Sequence, residues 1–195
     1  MFQSFDETAR PEQGPPRLAQ LRAVMAAEGL SGYLVPRADA FQGEYVAPCD
    51  DRLAWLTGFT GSAGFCAALK TAAGVFIDGR YRLQVKDQVA DVFTPVHWPE
   101  TSLGDWLAEH LPNDGKIALD PWLHTLGEVE KLEKRLEGTE LTLIETTNLI
   151  DQIWPDRPQR PAEPVLKYSK DFAGEGDDSK RKRIAKMLRD AGHNA

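Results

Sequence analysis

Residues 57–84, TGFTGSAGFCAALKTAAGVFIDGRYRLQ, restrict what this chain can fold into more than any other stretch. Two short apolar runs, 64–69 and 74–77, flank a polar turn at Lys70 and Thr71, which predicts a hairpin of buried strands. A loop of small residues leads into it, with Gly58, Gly61 and Gly64 bracketing Phe59, Thr60 and Ser62, so the backbone there can turn sharply or be approached closely. Asp78 ends the second strand where Tyr81, Val85 and Val89 begin a helical spacing, and its carboxylate suits the free N–H groups of a helix start. A hairpin that passes directly into a helix belongs in a mixed sheet rather than a purely parallel one.

The flanking sequence extends that plan. Leu18, Leu21, Val24 and Met25 share one helical face that Gly29 stops, and a strand is expected at 33–35. Asp50 and Asp51 precede a short helix through Leu53 and Leu56. Residues 92–97 are β-rich, and Ser102 caps a helix with Leu103, Trp106, Leu107 and His110. A strand at 116–119, stopped by Asp120 and Pro121, is followed by an amphipathic helix with Leu126, Val129, Leu132 and Leu136, closed by Gly138 before a strand at 141–144. Strands and helices alternate throughout, so the expected fold is α/β, a mixed five- or six-stranded sheet with helices on both faces.

A chain of 195 residues is long enough to bury roughly 70% of its unfolded surface. With 42% hydrophobic residues and no apolar run near the ~20 residues of a membrane span, neither a disordered nor a membrane protein is expected. A net charge of −7 argues against nucleic acid or an anionic membrane as partner. The two cysteines, Cys49 and Cys66, form no C-x-x-C pair and support neither a disulfide framework nor a zinc ribbon. The expected location is the cytoplasm.

Residues 1–15 read as a mobile leader without a secretory signal, and 16–154 as the α/β domain. Pro155, Pro158, Pro161 and Pro164 mark 155–176 as an extended linker. In 177–195, Ile184, Met187, Leu188 and Gly192 repeat the spacing of Leu21, Val24, Met25 and Gly29. The tail therefore reads as the first helix of a second, truncated α/β domain, since one helix cannot bury its apolar face without a partner sheet.

No constellation of catalytic residues is complete. His97, His110, His124 and His193 are scattered without metal-ligand spacing, so no metal site is expected in this chain. Ser62 lies in G-S-A-G, short of the G-x-S-x-G nucleophile elbow. The glycine loop precedes a strand instead of opening a helix, which excludes a P-loop geometry. Residues 180–183, KRKR, read as a solvated helix face. Arg80 is placed either to clamp a carboxylate or to pair with Asp78, and Glu44, Tyr45 and Arg52 suit a packed polar network.

Four segments in order, VPRADAFQGEYVAPCDDRLAWLTGFTGSAG, FIDGRYRLQ, ALDPWL and NLIDQIWPDRPQRP, resemble the N-terminal region of cytosolic-type Xaa-Pro aminopeptidases of the creatinase and prolidase superfamily, peptidase family M24. The resemblance spans almost the whole chain after the leader. It implies a ribonuclease H-like first domain, a second related domain, and a catalytic domain that holds two divalent metal ions, typically manganese, whose ligands have no counterparts here. It also implies a homodimer in which the first domain packs against its own catalytic domain and borders the channel for a peptide substrate. In creatinase, the loop matching 59–63 reaches the partner subunit's active site, so Phe59, Thr60 and Ser62, with Arg80, are the substrate-proximal candidates. A stand-alone interaction module of the same fold, histone-chaperone-like and without peptidase activity, is the alternative.

Overall fold

In a computed structural model, residues 8–111 and 114–194 are described. They fall into two compact units, residues 1–160 and 161–195. In the first, α1 (Gly14–Ala27) precedes β1 (Gly32–Pro36), α2 (Arg52–Thr57), β2 (Phe65–Leu69) and β3 (Ala73–Ile77). Then come α3 (Gln84–Gln88), β4 (Thr94–His97), α4 (Leu103–His110) and β5 (Lys116–Leu119). The unit finishes with α5 (Leu126–Leu136), β6 (Thr142–Glu145) and α6 (Leu149–Ile153).

The strands form one six-stranded mixed sheet in the order β4-β3-β2-β1-β5-β6. β2 runs antiparallel to both its neighbours, Cys66 facing Val35 on one side and Val75 on the other, while every other pairing is parallel. Five strands therefore end at one edge of the sheet, and β2 begins there.

Side-chain alternation along the strands separates two cores. Tyr33 and Val35 of β1, Cys66 and Ala68 of β2, and Val75 and Ile77 of β3 face α1, α2, α3 and α6, where Leu21, Met25, Leu53, Leu56, Val85 and Ile150 meet them. Leu34, Ala67, Leu69, Phe76 and Leu119 face the other way onto Trp106 and Leu107 of α4 and Leu136 of α5. Each fully buried Leu or Phe contributes about 1.5–3 kcal/mol through removal from water. Helix ends follow local chemistry. Ser102 caps α4 by accepting from the Asp105 N–H, and Thr125 with Glu128 closes a reciprocal capping box on α5.

Several expectations change in detail. Residues 1–7 of the expected leader lie outside the described residues, but Ala9 is buried, Pro11–Gln13 form a 3-10 turn, and Gly14 opens α1 beneath Phe93. Residues 8–15 are packed, because the apolar surface of α2 and Phe93 offers them a seat. The helix expected from Gly79 is a 3-10 turn, Gly79–Tyr81, followed by α3. Asp78 caps that turn by accepting from the Arg80 N–H. Arg52 does not join Glu44 and Tyr45: it turns inward to Asp50 and Asp151, and Tyr45 is 87% exposed. Arg157, inside the expected linker, belongs to the first unit through that same cluster.

The cluster is a closed ring of two arginines and two aspartates. Arg52 grips Asp151 with two bonds, Nε to Oδ1 at 2.7 Å and Nη2 to Oδ2 at 3.0 Å. Arg157 donates to Asp151 at 2.6 Å, to Asp50 at 3.0 Å and to the Cys49 carbonyl at 2.6 Å. Burial works against the Arg52 charge, but the bonds and charges of Asp151 and Asp50 outweigh it and raise the guanidinium pKa. Beside the ring Trp55 and Trp154 stack at 5.1 Å.

The second unit contains α7 (Lys170–Ala173) and α8 (Asp177–Asp190). In the KRKR run Arg181, Lys182 and Arg183 are exposed and Lys180 is half-buried, with Arg181 paired to Asp178 and Arg183 to Glu175. The close of α8 copies that of α1. Gly29 and Gly192 have φ of 68° and 79°, and the bonds Leu30 N–H to Met25 carbonyl and His193 N–H to Leu188 carbonyl have the same spacing. The repeat seen in the sequence is thus also a repeat of backbone conformation.

Candidate functional site

The loop 58–64 enters the sheet at the edge where its five parallel strands end, and its shape follows from close approach. Gly58 has φ 88°, and a Cβ there would lie 2.3 Å from the Gln88 carbonyl oxygen. At Gly61 a Cβ would lie 2.2 Å from the Phe59 ring. Both positions exclude a side chain, so the loop folds tightly over Phe59.

Phe59 is 1% exposed and meets Tyr81 edge to face at 5.5 Å. It is a core residue, so the sequence expectation that it faces the rim is corrected: an apolar ring between two glycines gains more by filling the space they leave than by standing in water. Thr60 and Ser62 are exposed, as expected of a rim. Thr60 donates its backbone N–H to Gln88 Oε1 at 3.0 Å, and Gln88 Nε2 donates to Thr60 Oγ1 at 2.9 Å. The Ser62 N–H donates to the Tyr81 hydroxyl at 3.1 Å, and the Ser62 hydroxyl is hydrogen-bonded to the same oxygen.

Arg80 is exposed and folds back on Asp78, with Nη2 to Oδ2 at 2.7 Å and Nε to Oδ1 at 3.1 Å. The Arg80 side-chain and backbone bonds hold the Asp78 carboxyl below its ordinary pKa. Arg80 also lies over the Tyr81 ring at 5.1 Å. The structure thus brings Thr60, Ser62 and Arg80 to one edge, each braced by a residue of the segment 78–88. The sequence marks Tyr81 as the start of a helical spacing but does not mark Gln88, although Tyr81, Gln84 and Gln88 sit three and four residues apart, at that same spacing.

A shallow concavity continues along this edge past Arg37, Glu44, Ser62, Asp78 and Trp98. The Ser62 hydroxyl is paired with the Tyr81 phenol, and among the described residues no histidine or carboxylate is hydrogen-bonded to it. Among the described residues no three His, Cys, Asp or Glu side chains converge to hold a metal ion, so these residues do not fit a metal centre. Among the described residues no helix is long and apolar enough to cross a membrane.

A six-stranded mixed sheet with one reversed strand and a braced glycine loop at its edge defines an α/β domain, and comparison with known proteins gives that class its family. Residues 17–153 match the Creatinase/Prolidase N-terminal domain model, and the chain belongs to this family. Its relatives are Xaa-Pro aminopeptidases. The chain is 36% identical over 163 residues to Xaa-Pro aminopeptidase 2 of Rattus norvegicus, covering 81% of this chain and 24% of the relative. It is 38% identical over 184 residues to a probable Xaa-Pro aminopeptidase P of Talaromyces stipitatus, covering 89% and 27%.

The fold matches the X-prolyl aminopeptidase of Caenorhabditis elegans, described as a cytosolic enzyme with a di-nuclear active site, with a TM-score of 0.85 at 28% identity. That match covers 92% of this chain and 31% of the other. The N-terminal domain of the cytoplasmic peptidase PepQ of Mycobacterium tuberculosis matches with a TM-score of 0.55 at 25% identity, covering 71% of this chain and 98% of that domain. The chain thus spans about a quarter of the length of the curated relatives it matches.

Proposed function

We propose that the chain is the noncatalytic N-terminal part of a cytoplasmic, metal-dependent Xaa-Pro aminopeptidase, which removes the first residue of peptides whose second residue is proline. The observation that carries this reading is the 36–38% identity to such enzymes over 81–89% of the chain. In this reading hydrolysis belongs to a catalytic domain encoded downstream, where two divalent metal ions, manganese by family resemblance, activate water and polarise the scissile carbonyl. Among the described residues no three His, Cys, Asp or Glu side chains converge as a ligand set. The part of the present chain is to pack against that catalytic domain, to support a homodimer and to border the peptide channel with Thr60, Ser62 and Arg80.

The loop's construction supports the last assignment. Groups that border a channel must keep their positions without the substrate, and Gln88, Tyr81 and Asp78 hold all three side chains in place. The test compares the purified 195-residue chain with the longer gene product in Xaa-Pro peptide hydrolysis with added manganese. No turnover by the chain alone and manganese-dependent turnover by the longer product are expected. Appreciable hydrolysis by the chain alone overturns the reading. In the longer product, Ser62→Ala and Arg80→Ala are expected to raise KM several-fold with kcat unchanged, the signature of lost uniform binding. Unchanged KM in both variants removes the channel role and leaves a packing domain.

A further inference from the structure

The sheet order places a switch point between β1 and β5. The chain leaves β1 through α2, on the face of Leu53 and Leu56, to reach β2, whereas it leaves β5 through α5, on the opposite face, to reach β6. Two neighbouring parallel strands whose connections depart to opposite faces leave a crevice beyond their carboxyl ends. Here the crevice is a cavity of about 230 Å³, bounded by Leu34 and Arg37 of β1 and its exit, Leu119 and His124 of β5 and its exit, and Val129 and Leu132 of α5. The proposed channel border of Thr60, Ser62 and Arg80 does not line it, although Arg37 and Glu128 also line the concavity beside Ser62.

Size and lining set the chemistry of an occupant. An apolar cavity of about 150 Å³ takes benzene, so this one has room for a phenyl ring or branched aliphatic group with a short polar arm. Most of its wall is aliphatic, with Arg37, His124 and Glu128 as its charged or titratable members. Arg37 uses Nη1 to donate to the Glu44 carbonyl at 3.1 Å, which leaves the Nε–Nη2 side of its fork. Asp51 lies within its field without an ion-pair contact.

Burial lowers the His124 pKa, outweighing the opposing Glu128 and Asp120 charges, so its ring is a neutral wall near pH 7. Its Nε2 is buried and has no hydrogen-bond partner among the described residues. Glu128 is held away by its capping bonds, its Oε2 accepting from the Thr125 N–H at 2.8 Å and the Thr125 hydroxyl at 2.9 Å.

We propose that this cavity binds a small monocarboxylate with an aromatic or branched aliphatic body, the body lying on Leu34, Leu119, Val129 and Leu132 and the carboxylate on the free side of the Arg37 fork. Glu128 is the one anion at the rim and opposes such a ligand without blocking it.

The test is an NMR titration of the isotopically labelled 195-residue chain with 3-phenylpropionate, 3-phenylpropionamide and phenethylamine. Because it reads binding and not hydrolysis, its failure is distinguishable from failure of the peptidase reading. Saturable shifts are expected at the methyls of Leu34, Val129 and Leu132 and at the His124 ring. The carboxylate should bind about tenfold tighter than the amide, as one charge-assisted bidentate contact implies. Arg37→Gln should bring it down to the amide's level, whereas Glu128→Gln, which keeps a capping box, should tighten it. Leu132→Trp should abolish binding by filling the cavity, and if that variant does not fold, the Arg37 variant and the amide comparison decide. No saturable shift up to about 10 mM, equal binding of all three compounds, shifts centred elsewhere, or undiminished binding by Arg37→Gln overturns the proposal.

Discussion

Replacing Asp151 with Ala should destabilise the first unit more than any other single change in the charge ring. Asp151 supplies both oxygens gripped by Arg52, whose side chain is 4% exposed, and one gripped by Arg157. Without it, Asp50 alone faces two guanidinium groups, and Arg52 stays buried with an incomplete set of partners. Removing one partner of a buried ion pair costs about 3–5 kcal/mol. Asp151 is 29% exposed and Arg157 23%, so water recovers part of the loss and we place the cost at about 3 kcal/mol.

For a domain of this size that lowers Tm by about 6–12 °C. Urea unfolding followed by tryptophan fluorescence reads it directly, because all five tryptophans lie within residues 1–160 and Trp55 stacks on Trp154 beside the ring. The double variant Arg52→Met with Asp151→Leu removes both charges and should recover most of the loss, leaving Asp50 and Arg157 paired. A loss below about 1 kcal/mol for Asp151→Ala, or a double variant less stable than the single one, would refute the reasoning.

Gly58→Ala should cost about 2–4 kcal/mol in the same unfolding assay, since it adds left-handed strain to a Cβ placed 2.3 Å from a backbone oxygen; a cost under about 1 kcal/mol means that the loop moves freely. Burial raises the Cys66 thiol pKa from 9.0 to about 12. The unfolded chain then releases a proton near pH 9 that the folded chain keeps, so the Cys66 contribution to stability is complete below pH 9 and falls as pH rises toward 12. Cys66→Ala should flatten that alkaline decline, read as urea midpoints across the range. The His124 ring, held neutral by burial, should titrate by NMR below its ordinary 6.5, and its contribution, present above 6.5, should fade as the pH drops through the folded value.

The strands and most helices were legible because their signals are local. β2 and β3 are short apolar runs around a polar turn, and α1 and α4 carry their apolar stripe with a glycine stop or serine cap beside it. Thr60, Ser62 and Arg80 come as candidates from the family resemblance, and the structure sets them along one edge. Other features depend on residues far apart in the chain. Nothing near Arg52 in sequence signals Asp151, which lies 99 residues away, so the sequence assigned it to nearby Glu44 and Tyr45. The resemblance points to a loop and not to which of its side chains face outward, and the Phe59 ring fills the space that Gly58 and Gly61 leave. The cavity beside His124 arises from strand order, which no local pattern encodes.

The ring of Arg52, Asp151, Asp50 and Arg157 also bears on synthesis. Its bonds from Arg52 to Asp151 and from Arg157 to Asp50 join residues about a hundred positions apart, as does the Leu149 N–H to the Tyr33 hydroxyl. On a ribosome, a chain that has passed Arg52 but not yet reached Arg157 holds a cluster that still lacks its last member. Contacts of such separation form late and slow the folding of the whole. The first unit should therefore gain its resistance to protease in one late step, when Arg157 clears the exit tunnel, and not gradually as each strand emerges.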